Sequence, residues 1–128
     1  MAVEKALVIH TEVAAVDLSS SQFCALVLAS GGWQLPSGAG VVAQGVLQNA
    51  PAAGVDAQGA MIGHGGLTKA RTNGTVAKGE AMAVAASTGK FRQAQTNDIV
   101  CGYAVDGDGG VDGTVVTMMM DRGPGIIA

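Results

Sequence analysis

Charged and aromatic side chains are both scarce in this sequence: 13% of residues are charged and 3% are aromatic, the latter being Phe23, Trp33, Phe91 and Tyr103. A globular chain usually carries charge on about a quarter of its residues. With 48% hydrophobic residues, this one is an under-charged globule and not a disordered tail. Lys and Arg are scattered singly and the net charge is -3, so there is no basic stripe for a nucleic-acid backbone and nucleic acid is not an expected partner.

Long apolar runs are missing too. The longest, Phe23 to Ala29 (FCALVLA), falls far short of the roughly 18 residues a membrane span needs, so a soluble protein with no membrane partner is expected. Carboxylates at Glu4, Glu12 and Asp17 interrupt the opening MAVEKALVIHTEVAAVD, which argues against a signal peptide. The two cysteines, Cys24 and Cys101, lie far apart with no C-x-x-C spacing. They fit reduced, buried thiols, with a long-range disulfide as the alternative, and they make no zinc site.

What is abundant is small. Among 128 residues there are 20 Gly and 22 Ala. Aromatic side chains bury roughly 150 to 250 Å² each, so their scarcity leaves a lean core built from many Val, Ala and Met contacts. One small domain is expected, and a chain so built gains from burying further surface against copies of itself.

The distribution of charge adds to this, because no Asp, Glu, Lys or Arg occurs between Asp17 and Asp56. That stretch holds Ser, Gln, Gly and Pro (SSSQ, GGWQLPSGAG, LQNAPAAG), which reads as short strands and turns. Loss of charge with retained Gln, Asn and Trp is how a protein-facing surface is composed, whereas a water-facing surface carries Lys and Glu. A chance gap in a low-charge chain is the competing explanation. Trp33, Val42, Leu47, Gln48, Asn49 and Pro51 are the candidate contact residues.

Glycine is too frequent to leave room for a long helix. The sequence predicts an all-β fold, a small β-barrel or sandwich of short strands and hairpins. Residues 1–17 form an N-terminal arm or first strand and 18–128 a single β domain. At most one short helix is expected, over Leu18 to Leu28 and capped by Ser19, Ser20 or Ser21. Asn73-Gly74 predicts a two-residue hairpin, Thr88-Gly89 a weaker second one, and DGDGGVDG, residues 106–113, a third. There is also an internal echo: residues 41–56 can be laid over 98–112 so that Gly45 meets Gly102 and Val55-Asp56 meets Val111-Asp112.

No candidate constellation carries chemistry. Asp106, Asp108 and Asp112 fail the EF-hand spacing and fit a polar hairpin loop. Ser87-Thr88-Gly89-Lys90 lacks the parts of a phosphate loop. His10 and His64 have no partner at ligand spacing, and neither cysteine has an activating context. Thr68-Lys69-Ala70 is similar in outline to the modified lysine of lipoyl and biotinyl carriers. Those lysines sit at a turn tip, however, and the turn signal here comes later, at Asn73-Gly74. No catalytic residue, cofactor or metal is expected.

The ordered set LSSSQFCALVL, GVLQNAPAAGVDAQGAM, GGLTKARTNGTVAKGEAM, TGKF and IVCGYAVDGDGGVDGTVVTMM resembles the small capsid cement (decoration) proteins of tailed phages over about residues 18–120. GVLQNAPAAG is its most distinctive piece. Cys24 stands where a polar or basic residue is commoner, and the methionines at 118–120 are unusual for the closing strand. The resemblance implies an all-β virion protein that binds the outer surface of an assembled icosahedral capsid and stabilises it. It implies the major capsid protein and copies of itself, as a homotrimer, for partners, and neither catalysis nor cofactor. The rival classes are a carrier domain modified on Lys69 and a non-viral oligomeric β-module.

Overall fold

The computed structural model describes residues 5–6, 8–106 and 112–126, with side chains for 8–106 and 112–121. The strands are β1 (Lys5–Ala6), β2 (Ile9–Val13), β3 (Ala25–Ala29), β4 (Gly32–Gln34), β5 (Gly45–Leu47), β6 (Asp56–Met61), β7 (Gly66–Asn73), β8 (Ala81–Val84), β9 (Phe91–Gln93), β10 (Ile99–Asp106) and β11 (Asp112–Ile126). The described residues contain no helix. The expected all-β class is what is found.

Two sheets are built. The first runs β2-β6-β5-β3-β4 and the second β7-β11-β10-β8-β9, with two-residue β1 added on the β7 side. Within each sheet the named neighbours pair antiparallel. Each sheet is then closed by one parallel bridge, Ala14 to Trp33 in the first and Thr72 to Phe91 in the second. Both sheets are therefore small five-stranded barrels, and closure removes most of the free strand edge that an open sheet would expose.

The two barrels have the same topology. Replacing β2 to β6 by β7 to β11 in chain order converts one strand order into the other. The registers agree as well: Leu28 pairs with Trp33 as Val84 pairs with Phe91, and Gly45 pairs with Met61 as Gly102 pairs with Met120. The Gly45/Gly102 match of the echo thus falls on equivalent strands, β5 and β10, whereas its Val-Asp match does not: Asp56 pairs with Val13, and Arg71, the equivalent of Val13, pairs with Val115 and not Asp112. The equivalence extends to every strand from β2 onward. Residues 9–13, within the expected arm or first strand, are an integral strand of the first barrel.

Strand alternation sorts small and apolar residues to two sides. Along β7 the buried positions are Thr68, Ala70 and Thr72, every second residue, as a strand half facing a core requires. Inside the first barrel lie Ala14, Leu18, Leu26, Trp33, Leu47 and Ala57. Its other face sends Ala25, Val46 and Ala60 into a larger cluster with Phe91, Met82, Val84, Met118 and Met120 of the second barrel. The barrels share a core. Main-chain hydrogen bonds reinforce the junction, from Ala25 N to Gly89 O (2.7 Å), Gly40 N to Val84 O (2.9 Å) and Arg71 N to Phe23 O (2.8 Å).

Two local expectations are corrected. Residues 18–24 form two successive turns, Ser21 N to Leu18 O and Cys24 N to Ser21 O (both 3.0 Å), before β3 begins. Phe23 has φ 67°, and its N–H donates to Leu47 O while its C=O accepts from Arg71 N, so the backbone is committed to tertiary partners and no helix continues. Asn73-Gly74 does not make a hairpin. Only Gly74 takes positive φ, whereas a type I′ turn needs it at both central residues, and β7 pairs with β11, β9 and β1 instead of β8. The other two hairpins form: Gly89, at φ 80°, turns β8 into β9, and β10 pairs antiparallel with β11. Residues 107–111 of that third loop lie outside the described residues.

Candidate functional site

Trp33 is the largest buried side chain and 0% exposed. It fits inside the first barrel because two facing strands present glycine: a Cβ on Gly59 would lie 2.5 Å from Trp33 Cζ2, and one on Gly45 would lie 2.9 Å from Cη2. Its indole Nε1–H donates to His10 O (3.2 Å), which satisfies the polar end, and the His10 ring meets the indole edge-on at 6.0 Å. Leu47 is equally buried. Trp33 and Leu47 are therefore corrected from candidate surface anchors to core residues, because the chain's own interior already takes up their apolar area.

The remaining candidates divide. Val42 is exposed, Pro51 is buried, and Gln48 and Asn49 are half-buried. Gln48 Nε2 donates to Val46 O (3.0 Å) and to Thr68 Oγ1 (2.9 Å), linking the two barrels. Asn49 Nδ2 donates to Asp56 O and its Oδ1 accepts from Gln58 N (both 3.0 Å), holding the β5–β6 connection closed. Leu18 N donates to Pro51 O (2.9 Å). The Gln-Asn-x-Pro piece thus has an internal structural role. Much of the charge-free stretch is likewise consumed inside the chain, in β3, β4 and β5.

The reactive groups are quiet. Both cysteines are free and buried. Burial pushes the Cys24 thiol up to about 11, against a smaller downward pull from Arg71 and Lys90, and pushes Cys101 up to about 12. Neither is a thiolate near neutral pH. Burial works against ionisation of Asp106, but the Thr117 N–H and hydroxyl both donate to it, and its carboxyl is held below the usual range. Among the described residues no group of His, Cys, Asp and Glu is arranged to hold a metal ion. His64 is exposed. Lys69 lies in the middle of β7, paired with Thr117 and with its Nζ 5.4 Å from the Phe23 ring centre, so it is not presented at a turn tip.

The surface does carry apolar side chains in a pattern. On the outside of the second barrel, cross-strand neighbours Ala81, Tyr103, Met119 and Leu67 form a row over β8, β10, β11 and β7. Tyr103 is 39% and Met119 49% exposed. They border a cleft of ≈ 270 Å³ that also touches Gly65, Gly66 and Asp121. Val13, Val16 and Val55 are also exposed, on the first barrel. The sequence reading missed the row, because Tyr103 and Met119 look like ordinary strand residues until the pairing sets their face.

No protein-family model matches the chain, and no curated protein matches it either. Among solved structures, the chain is similar to the crystal structure of the head fiber gp8.5 N base in bacteriophage phi29. The TM-score is 0.66 and the identity 16%, over 90% of this chain and 94% of that one. This similarity shows a common fold.

Proposed function

We propose that this chain is a non-catalytic structural protein of a phage virion, attached to the outer surface of an assembled icosahedral capsid. Its partners are the major capsid protein and further copies of itself, as a homotrimer. The observation that carries this reading is the near end-to-end match in fold to a phage head fiber base. The ordered likeness of residues 18–120 to capsid cement proteins supports it independently, since the motifs are read without the fold. The under-charged surface also fits a protein that lives against other proteins. Val42, Gln48 and Asn49 remain the proposed contact residues on the first barrel, while Trp33, Leu47 and Pro51, all buried, support them from within. Cosedimentation of the purified protein with assembled shells tests the reading, with binding expected to saturate at a fixed ratio to capsid subunits.

A further inference from the structure

The internal repeat shows which surface is left without its counterpart. In the first barrel the outward row Ala25–Val46–Ala60 is built from the cross-strand pairs Ala25 with Val46 and Val46 with Ala60. In the second barrel the equivalent row is Ala81–Tyr103–Met119. The first row is fully buried, because the second barrel covers it. The second row has the larger side chains, Tyr and Met, and is open. Those residue types are enriched at the buried centres of protein interfaces.

The open row lies on the two strands that also reach the shared core. Cys101 and Met120 lie in the shared core; Tyr103 comes two residues after Cys101 on β10, and exposed Met119 stands immediately before Met120 on β11, on the opposite face of that strand. What covers the first barrel beside its row is also known: Arg71 N bonds Phe23 O, and Gly89 O accepts from Ala25 N. By the registers Ala14–Trp33 and Thr72–Phe91, the first-barrel equivalents of Arg71 and Gly89 are Val13 and Gly31. Both are exposed, Val13 at 39%. The chain therefore carries an open row on the second barrel, and on the first an exposed Val13 and β3–β4 turn at the positions that cover the first row from the second barrel.

We infer that a second copy of this chain covers the Ala81–Tyr103–Met119 row, applying its Val13 and β3–β4 turn as Arg71 and the β8–β9 turn are applied within one chain. The contact is heterologous, so repeating it closes a ring or extends a chain according to the rotation between copies. The inference rests on the self-association in the proposed function and names its surface.

The test uses the full chain without shells. Sedimentation velocity over rising concentration, on the native chain and on Met119→Lys and Tyr103→Ser, should show concentration-dependent association that each variant weakens by about tenfold or more, with unchanged circular dichroism. A photo-crosslinking amino acid at position 103, in an otherwise native chain, should link to residues 8–35 of the neighbour. A native chain that stays monomeric, association that both variants leave intact, or crosslinks between two copies of position 103 would overturn the inference. Shell binding by the same three proteins is measured separately. Monomers that bind shells defeat this inference and leave the proposed function standing, whereas oligomers that ignore shells do the reverse.

Discussion

Trp33 and Phe91 occupy the same position in two barrels of the same topology. Each is fully buried, each pairs antiparallel with a strand residue before the preceding turn (Leu28 and Val84), and each closes its ring through a parallel bridge. One aromatic ring per barrel gives a chain with few aromatics a filled centre in both halves; Gly45 and Gly59 make room for Trp33, whereas Met118 stands at the position of Gly59 in the second barrel, where the ring is the smaller Phe91.

That arrangement makes the barrel size sensitive to one carbon. Gly59→Ala should destabilise the protein by roughly 1–3 kcal/mol, since the new Cβ would meet the indole and not a flexible side-chain end. Gly38→Ala, where nothing lies within 4 Å, should stay within about 0.5 kcal/mol of the parent. Urea unfolding of the two variants checks the difference.

The shared core predicts one cooperative unit. Phe91→Ala should cost about 3–5 kcal/mol. It should also move the urea midpoint seen by fluorescence of the single tryptophan, in the other barrel, together with the midpoint seen by circular dichroism. Separate midpoints would show that the barrels unfold independently.

Fold class and two of three hairpins were legible in the sequence because they depend on local signals, glycine at a turn and alternation in short strands. The place of Trp33 was not legible. A charge-free stretch with one Trp reads equally as an interface or an interior, and Gly45 and Gly59 mark a space for the indole only once β5 and β6 are seen to face it. The repeat showed only through Gly45/Gly102, because equivalent positions elsewhere share register without identity, as Leu26 and Met82 do, and the Val-Asp match was out of register. Asn73-Gly74 misled for a related reason: a turn signal says nothing about which strand β7 will pair with.

The buried thiols set an alkaline limit. Their pKa values rise from 9.0 in the unfolded chain to about 11 for Cys24 and about 12 for Cys101 when folded. Above pH 9 the unfolded chain loses these protons while the folded one keeps them, so this stabilisation, complete below pH 9, declines as pH rises toward 12. Urea titrations across that range should show the decline, and a Cys24→Ser/Cys101→Ser double variant should show less of it. Thiol labelling should be slow in the native protein and fast after unfolding.

Asp106 gives the opposite sign at the acid end. Its carboxyl is lowered below 3.8, so its contribution is present above that pH and is lost as the acid is protonated below it. Thr117→Val removes the hydroxyl donor, 3.0 Å from Asp106 Oδ2, and should raise the Asp106 pKa in an NMR carboxyl titration.

Electron cryomicroscopy of assembled, undecorated phage shells incubated with the purified protein tests capsid attachment most directly. With only 13% charged residues, attachment should rest on apolar burial and neutral hydrogen bonds, which salt does not screen. The predicted result is added density on the outer capsid surface, in threefold clusters, retained through a sodium chloride wash. Shells that remain bare at saturating protein would contradict it.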